Sequence, residues 1–321
     1  MVYKSKHFAI QPLAEGIFAA IAEDGGSAIC NVGLVDLGGQ ILVFDAFLTP
    51  QAAKDLRRFA VDRFGRAPQI AINSHYHNDH IWGNQVFAAG AQIISSTRTR
   101  DLIATSGVEE FQWYSANSAK RLESLHVQYQ NTQDKREKQD LLLWMGEYGG
   151  IVEALPQLTV CMPSITFDNR LEIHGETRTA ELITFEGGHT ASDTILHLPQ
   201  DRIVFMGDLL FVRAHPWLGE CNPLSLQNAL RELRQLNACC YVPGHGPVGA
   251  CEDLEGLIDY IDHCHATARK LTETGSVTDE AIKALQIPEI YREWKISQFY
   301  ATNIRFFCER LSSADSGSRP S

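Results

Sequence analysis

The chain has 321 residues, of which 44% are hydrophobic and 21% charged, and its formal net charge is −11. This composition is typical of a globular protein with a large buried core. The negative charge argues against a nucleic-acid partner, because phosphate binding needs a basic surface, and no apolar run is long enough to predict a membrane span.

The first residues and the cysteines indicate a cytoplasmic protein. Met1 to His7 hold two lysines, but no apolar signal core follows them. The eight cysteines are scattered and form no Cys-x-x-Cys pair, so neither a zinc ribbon nor a dithiol redox motif is indicated. Reduced thiols are therefore the expectation.

The first hundred residues predict strands that alternate with helices. Strands are expected at 8–10, 16–21, 27–35, 40–44, 69–74 and 92–95. Thr49 followed by Pro50 predicts a helix start with an N-cap, and the apolar spacing continues this helix to Phe64. A short helix after His80 and another from Thr97 complete a pattern typical of helices packed on a sheet.

Residues 101–158 lack strand signals and predict two long helices that form an inserted hairpin. Strands resume at 158–161, 164–167, 170–173, 181–185, 194–198, 202–206 and 241–242, with a hairpin turn expected at Asp168-Asn169. Further helices are predicted from Asn222-Pro223 to about 236 and at 252–272, 278–286 and 290–311. Residues 312–321 are small and polar and predict a disordered tail.

Four candidate metal ligands lie within six positions, in the pattern His75-x-His77-x-Asp79-His80. Imidazole nitrogens and carboxylate oxygens suit a borderline cation such as Zn²⁺. If the preceding strand continues through the pair, the side-chain period of two places His75 and His77 on one side. The other two residues follow a turn and are expected to face a second metal nearby. A lone His-x-His pair is more often a chance occurrence on the surface, so a metal site requires further ligands elsewhere in the chain.

Three further candidates follow apolar strands and lie beside glycine. They are His189, Asp208 and His245. Glycine lets the backbone turn sharply and leaves room for a ligand, and strand ends are where sites of open sheets assemble. Each residue alone is equally well explained as a turn residue. Together with the first motif they give five histidines and two aspartates, a full set for two metals with one bridging carboxylate.

These motifs, in this order, resemble the metallo-β-lactamase superfamily of metallohydrolases over residues 7 to about 250. The resemblance implies an α/β fold, a four-layer αβ/βα sandwich with metals at one edge between two sheets. Residues 1–251 are then the catalytic domain, with the helical insertion at about 101–158. Residues 252–311 are a C-terminal helical extension packed on it, and 312–321 the tail.

The resemblance also implies the role of each motif residue. His75, His77 and His189 would bind the first metal. Asp79, His80 and His245 would bind the second, with Asp208 bridging both. Asp45, which closes an early strand, would hydrogen-bond and orient a ligand. Two divalent ions are expected, Zn²⁺ first, with Fe or Mn suiting the same nitrogen and oxygen set.

The reaction implied is hydrolysis of a small ester, lactone, thioester or amide by a metal-bridging hydroxide, with Asp79 as the catalytic residue that orients the nucleophile and moves its proton. Family β-lactamases generally lack a bridging residue like Asp208, and family lactonases carry tyrosine where this chain has Phe211. An alternative is a mononuclear iron oxygenase resembling persulfide dioxygenases. A third, a non-catalytic binding protein, finds no support because every ligand position is retained.

The segment after the bridging aspartate supplies the candidate substrate pocket. Phe211, His215 and Trp217 follow Asp208 closely. Trp217 offers a flat apolar wall and His215 a hydrogen bond, although a structural loop anchored by Trp and Pro explains the segment equally well. The partner expected is a small molecule. The sequence leaves the oligomeric state open, including a homo-oligomer.

Overall fold

Strands and helices alternate through the first half of the computed structural model, which describes residues 3–316. The strands are β1 (Phe8–Ala14), β2 (Ile17–Ala22), β3 (Val32–Asp36), β4 (Ile41–Phe44), β5 (Ile70–Ile72), β6 (Gln92–Ser96), β7 (Ile165–Phe167), β8 (Arg170–His174), β9 (Thr179–Phe185), β10 (Asp193–Leu198), β11 (Ile203–Phe205) and β12 (Cys240–Val242). The helices are α1 (Pro50–Phe64), α2 (Asn78–Ile81), α3 (Asn84–Phe87), α4 (Thr97–Ala104), α5 (Ser106–Asn131), α6 (Lys135–Ala154), α7 (Pro223–Arg234), α8 (Cys251–Glu273), α9 (Asp279–Lys283) and α10 (Gln298–Ser316).

Each half of the chain builds one sheet. The first sheet has seven strands in the order β1-β2-β3-β4-β5-β6-β7, antiparallel up to β4 and parallel from there. The second has the order β12-β11-β10-β9-β8 and is antiparallel except between β11 and β12. The parallel part of the first sheet places the carboxyl ends of β4, β5 and β6 at one edge.

The two sheets pack face to face. Phe44 of the first sheet and Phe205 of the second belong to one buried cluster, with ring centroids 6.2 Å apart. Gly33 on β3 permits this approach, since a Cβ there would lie 2.8 Å from the Phe205 ring. Helix α1 covers the outer face of the first sheet, and α7, α8 and α10 cover the second. The four-layer α/β sandwich expected from the resemblance is confirmed.

The helical insertion follows β6 and precedes β7. Helices α5 and α6 lie against each other, joined by three residues. Asp134 caps α6 by accepting hydrogen bonds from the backbone N–H groups of Arg136 and Glu137 at 2.8 and 2.9 Å. Within residues 3–316, no helix has the length and hydropathy needed to cross a membrane.

Several predicted elements differ from the structure. The strand expected at 27–35 begins only at Val32, because Ile29 has a φ of 69° and Ser27 is occupied by hydrogen bonds to His7 and Thr49. Residues 158–161 form no strand. Asp168-Asn169 does not close a hairpin, since β7 pairs with β6 and β8 with β9 in the other sheet.

The C-terminal helix begins later than predicted. The predicted helix at 290–311 starts at Gln298, after a 3₁₀ turn at Glu289–Tyr291 and an extended stretch. It also continues to Ser316, five residues into the predicted tail, and 317–321 lie outside the described residues.

Candidate metal centre

The His-x-His-x-Asp-His motif lies in a loop and a short helix at the carboxyl end of β5. The strand ends at Ile72, so the hypothesis that it continues through His77 is wrong. The loop nevertheless brings His75 Nε2 within 3.0 Å of His77 Nδ1. Asp79 and His80 follow in α2, beyond the turn that the sequence predicts. Although consecutive residues of a helix point in different directions, Asp79 Oδ2 lies 3.4 Å from His80 Nε2.

The second sheet delivers the other three candidates from neighbouring strands. His189 lies between β9 and β10, Asp208 in a 3₁₀ turn after β11, and His245 in the loop after β12. Gly244 leaves the space that the carboxylate occupies, since a Cβ there would lie 1.9 Å from Asp208 Oδ1. The site is thus assembled from the facing edges of both sheets.

The seven predicted ligand residues converge on one point. His75, His77, His189 and Asp208 each offer a donor atom within 4.8 Å of the others, and so do His80, Asp208 and His245 as a second group. Asp208 is shared by both groups: Oδ1 lies 3.1 Å from His80 Nε2, and Oδ2 lies 3.3 Å from His245 Nε2 and 3.4 Å from His189 Nε2.

Asp79 lies beside the second group. Its Oδ2 is 3.4 Å from the Nε2 atoms of both His80 and His245. The side chain also borders an open cleft, whereas His80 is fully buried. Asp208 lines the cleft too, but the Asp79 side chain is the more exposed of the two carboxylates, at 12% against 5%.

Burial and charge set the protonation of the cluster. Burial lowers the pKa of His75 well below its usual value and that of His189 to about 3, so both imidazoles are neutral at pH 7 and hold free lone pairs. Burial also acts to lower the pKa of His77, but the hydrogen bond and charge of Glu220 and the charge of Glu110 raise it to about 9. A bound metal would displace that proton.

The donor atoms fit a divalent metal. His80 Nε2 and Asp208 Oδ1 are buried without hydrogen-bond partners, although they lie only 3.1 Å apart. Leaving buried polar atoms unpaired is costly, and a cation between them would satisfy both. Imidazole nitrogens with carboxylate oxygens are the ligands of Zn²⁺ and related transition metals.

Two residues support α2 from below. Asp45, predicted to orient a ligand, accepts a hydrogen bond from His80 Nδ1 at 2.8 Å and from the backbone N–H of Ser74 at 2.8 Å. Cys30 was not predicted: its thiol donates to the carbonyl of Asp79 at 2.9 Å, and burial raises its pKa to about 12. No motif surrounds Cys30, so the sequence carries no signal for it.

A cleft of about 840 Å³ opens over the cluster. Phe211 lines it and stacks on His245, with ring centroids 5.0 Å apart and 19° between planes. Trp217 also lines it, as predicted for both residues. His215 does not: the side chain is fully buried, and Nδ1 lies 2.9 Å from the Tyr260 hydroxyl. It packs the segment onto the C-terminal helices instead of facing a substrate.

The cleft contains polar groups that no motif marks. Tyr114 of α5 donates a hydrogen bond to Glu147 of α6 at 2.9 Å, and Tyr76 donates to Glu220 at 2.5 Å. Burial raises the pKa of Glu147 to about 8 and that of Glu110 to about 7. Both glutamates belong to the inserted hairpin, where only tertiary packing brings them to the site.

Comparisons with known proteins agree with this geometry. A family model described as the metallo-beta-lactamase superfamily matches residues 25–245. The Beta-lactamase-like protein 2 homolog of Caenorhabditis elegans is 24% identical over 146 residues, which is 45% of this chain. That match spans 48% of the relative, so the chain covers about half of its length.

Two solved structures illustrate the likeness in fold. The metallo-beta-lactamase from Pontibacter korlensis is 17% identical with a TM-score of 0.55, covering 78% of this chain and 97% of that one. The Hirschia baltica enzyme is 12% identical with the same TM-score, covering 78% and 95%. At such identities the similarity shows the fold alone. Since the family model spans more than half of the sequence and the sandwich matches, the chain belongs to the metallo-beta-lactamase superfamily.

Proposed function

We propose that the protein is a dinuclear metal-dependent hydrolase acting on a small ester, lactone, thioester or amide. The observation that carries this proposal is the position of Asp208, whose two oxygens lie within 3.1–3.4 Å of imidazole nitrogens from both ligand groups. A shared carboxylate is the usual bridge between two metals some 3.5–4 Å apart. Most members of the superfamily are metal-dependent hydrolases, which supports the same reaction class.

In this proposal His75, His77 and His189 hold the first ion, and Asp79, His80 and His245 hold the second, with Asp208 between them. The mutual distances within each group support the division. Zn²⁺ is the proposed metal, and Fe or Mn would suit the same donors.

Bound metal ions would supply a water of lowered pKa and polarise the scissile carbonyl. The chain's own residues do the rest. Asp79 borders the cleft, so its carboxylate orients the attacking water and carries a proton to the leaving group. Asp45 fixes the His80 ring through Nδ1, and Phe211 packs against His189 and His245 on the cleft side.

The cleft supports a small organic substrate. Its volume of about 840 Å³ falls within the range of pockets for drug-sized ligands, roughly 300–1,000 Å³. The net charge of −11 and the acidic side chains at the cleft argue against nucleic acid.

Metal content and hydrolysis together test the proposal. Protein purified without chelator should carry about two divalent ions per chain by plasma mass spectrometry. It should hydrolyse at least one class in a panel of aryl esters, lactones, thioesters and amides. Chelation should abolish turnover and added Zn²⁺ should restore it, while Asp79→Ala should lower kcat by about 10²-fold or more. Asp168→Ala, at an exposed position away from the cluster, is the control. Full activity in Asp79→Ala would remove the proposed role of this residue.

A mononuclear iron oxygenase is the second candidate. The observation that favours it is that His75, His77, His189 and Asp208 form a complete four-donor group by themselves. About one iron per chain, with oxygen uptake in the presence of a persulfide and no esterase activity, would select this reaction over hydrolysis.

A further inference from the structure

Six aromatic side chains form a continuous wall along the cleft. In contact order they are Trp217, Phe299, Trp144, Tyr148, Tyr114 and Trp113, with successive ring centroids 5.3, 5.6, 6.5, 5.7 and 5.1 Å apart. All six line the same cavity as the metal cluster. We call this surface the ring wall. Trp113, at its end, is 51% exposed, so the wall continues into solvent as an apolar strip.

The ring wall comes from four separate parts of the chain, one of which is the loop before α7 that carries Trp217. Tyr114 and Trp113 lie on α5, Trp144 and Tyr148 on α6, and Phe299 at the start of α10. Successive ring planes differ by 41–88°, so the rings present both edges and faces to the cleft, and a planar apolar group can stack on an exposed face. The ring wall also offers π-faces, which attract cations, most strongly when the cation loses its water.

The charges around the cleft have one dominant sign. Besides the proposed ligands, its lining includes six acidic residues: Glu23, Asp24, Glu110, Glu147, Glu220 and Glu293. The basic residues that line it are Arg213 and Lys295, and Lys295 Nζ lies 2.5 Å from Asp24 Oδ1. Acidic groups therefore remain in excess even when the two buried glutamates hold their protons. The proposed metal ions would themselves attract an anion, but an anionic substituent would meet repulsion in the part of the cavity away from them.

Glu147 places a carboxyl group within the ring wall. It lies three residues after Trp144 and one before Tyr148, so the i and i+3 positions of α6 share a face. Its side chain is only 7% exposed and is oriented by the hydrogen bond from Tyr114. A carboxyl group among aromatic faces is the combination that binds alkylammonium ions.

We propose that the substrate of this site carries an aromatic ring and an alkylammonium group, which the ring wall and Glu147 bind on the α5–α6 side of the cleft. This inference deepens the proposed function and rests on it only in calling the bound molecule a substrate. The ligand chemistry itself is measured without turnover, so the two ideas fail separately.

The test is isothermal titration calorimetry on the full chain as purified with its metal, at pH 9, above the pKa of about 8 that burial gives Glu147. Three probes share one ring and differ in charge: phenyltrimethylammonium, benzyl alcohol and benzenesulfonate. We expect the cation to bind with a Kd about tenfold or more below those of the other two, as one cation–π and carboxylate site would give. Tetramethylammonium, which lacks the ring, should bind more weakly than phenyltrimethylammonium.

Two variants locate the binding site. Glu147→Gln still accepts the Tyr114 hydrogen bond but cannot ionise, so it should weaken the cation about tenfold and leave benzyl alcohol unchanged. Trp144→Leu should weaken the binding of phenyltrimethylammonium and of benzyl alcohol. Glu153→Gln, at an exposed position of the same helix, is the matched control and should change none.

Two results would overturn the inference. One is a benzenesulfonate or benzyl alcohol Kd equal to or below that of the cation. The other is cation binding that survives Glu147→Gln unchanged. Tight cation binding in a protein that hydrolyses nothing in the metal-loaded panel would instead reject the proposed hydrolase and keep the assigned ligand chemistry.

Discussion

Asp45 lies beneath the metal cluster and acts through a neighbour. Only 1% of the residue is exposed, and both carboxylate oxygens are used, one by the Ser74 backbone and one by His80 Nδ1. This contact holds a proton on His80 Nδ1, so Nε2 is the nitrogen that remains for a metal ion. Asp45 adopts a φ of 67°, a conformation that aspartate and asparagine tolerate better than most residues.

Asp45→Asn should therefore keep the backbone but weaken the hold on His80. We expect metal affinity to fall by about 10–100-fold, the usual effect of losing an outer partner of a metal-binding histidine. Competition with a chromogenic chelator measures the affinity. Asp168→Asn is the control, because Asp168 is exposed and its carboxylate accepts a hydrogen bond from Thr97, which is not a residue of the cluster. Affinity within twofold of wild type in Asp45→Asn would contradict the positioning role.

Glu147 should make stability depend on pH. Burial raises its pKa from 4.5 in the unfolded chain to about 8 in the folded protein. Below pH 4.5 Glu147 is protonated in both states, and its contribution to the free energy of unfolding is fully present. As pH rises toward 8 the unfolded chain releases this proton while the folded protein retains it, so this contribution to the free energy of unfolding declines.

Glu147→Gln removes that decline. The Tm of the variant minus that of wild type should increase between pH 5 and pH 8 by about 3 °C or more, measured by differential scanning calorimetry in matched buffers. Glu153→Gln, exposed on the same helix, controls for loss of a charge. A difference in Tm that stays constant with pH would show that Glu147 is ionised in the folded protein.

At the scale of elements, the inserted hairpin is tied to the segment that precedes α10. Asp140 of α6 is 5% exposed and accepts hydrogen bonds from the backbone N–H groups of Ile296 and Ser297 at 3.0 and 2.9 Å. Arg136 donates to the carbonyl of Trp294 at 3.1 Å. These contacts fix the position of α6 relative to the segment before α10, and both line the cleft. The contacting residues themselves lie outside the metal cluster.

Asp140→Ala should therefore alter substrate binding more than the chemical step. We expect KM to rise about 3–10-fold with a smaller change in kcat, since the wall shifts while the metal cluster does not. The Tm should also fall, because two half-buried N–H groups lose their acceptor, at about 1 kcal/mol each.

Asp134→Ala is the matched control for this experiment. Asp134 also accepts two backbone N–H groups, but those of its own helix, so its loss removes a cap worth about 1 kcal/mol without touching residues 296–297. Tm should fall in both variants and KM should rise only in Asp140→Ala. Equal KM values in the two variants would show that the hydrogen bonds of Asp140 do not shape the cleft.

At the scale of the whole molecule, the metal cluster joins the two sheets. His75, His77, Asp79 and His80 belong to the edge of the first sheet, and His189, Asp208 and His245 to the edge of the second. A ligand that contacts both layers stabilises the folded state by mass action, by about 4 kcal/mol at a concentration 1,000-fold above its Kd.

Chelation should therefore lower Tm by about 5–15 °C. The measurement compares thermal unfolding of metal-loaded and chelator-treated protein, and re-addition of Zn²⁺ should recover the original value. A His75→Ala/His77→Ala variant controls for effects of the chelator on the protein itself. Its Tm should change little when chelator is added. An unchanged Tm after verified metal loss would mean that bound metal does not stabilise the packing of the two sheets.

Local signals in the sequence were reliable where they depended on neighbours in the chain. Thr49 and Pro50 begin α1 as predicted, with the Thr49 side chain accepting from the Ala52 backbone N–H. Glycine at strand ends marks His189, Asp208 and His245, and close spacing marks the other four ligands. The structure brings all seven together, which their spacing alone did not require.

The predictions of secondary structure fail where a distant part of the chain offers the same residues other hydrogen-bond partners. Asp168-Asn169 has good turn chemistry, but β7 and β8 each find a partner elsewhere and enter different sheets. The apolar pattern before 298 is helical, yet Lys295 exchanges backbone hydrogen bonds with Arg213 and His215 and so stays extended. Glu147 carries no local signal because its role depends on the packing of α6 over the cleft.

The division of the ligands between two sheets has a consequence for synthesis. His80 leaves the ribosome about 165 residues before His245, an interval of roughly 10–30 s at 5–20 residues per second. Until β8 to β12 have been made, the opposite sheet is absent or incomplete, and the inner faces of residues such as Phe44 and Ile72 are not fully covered. The nascent chain is therefore most exposed to aggregation and to premature metal capture while its second half is still being translated.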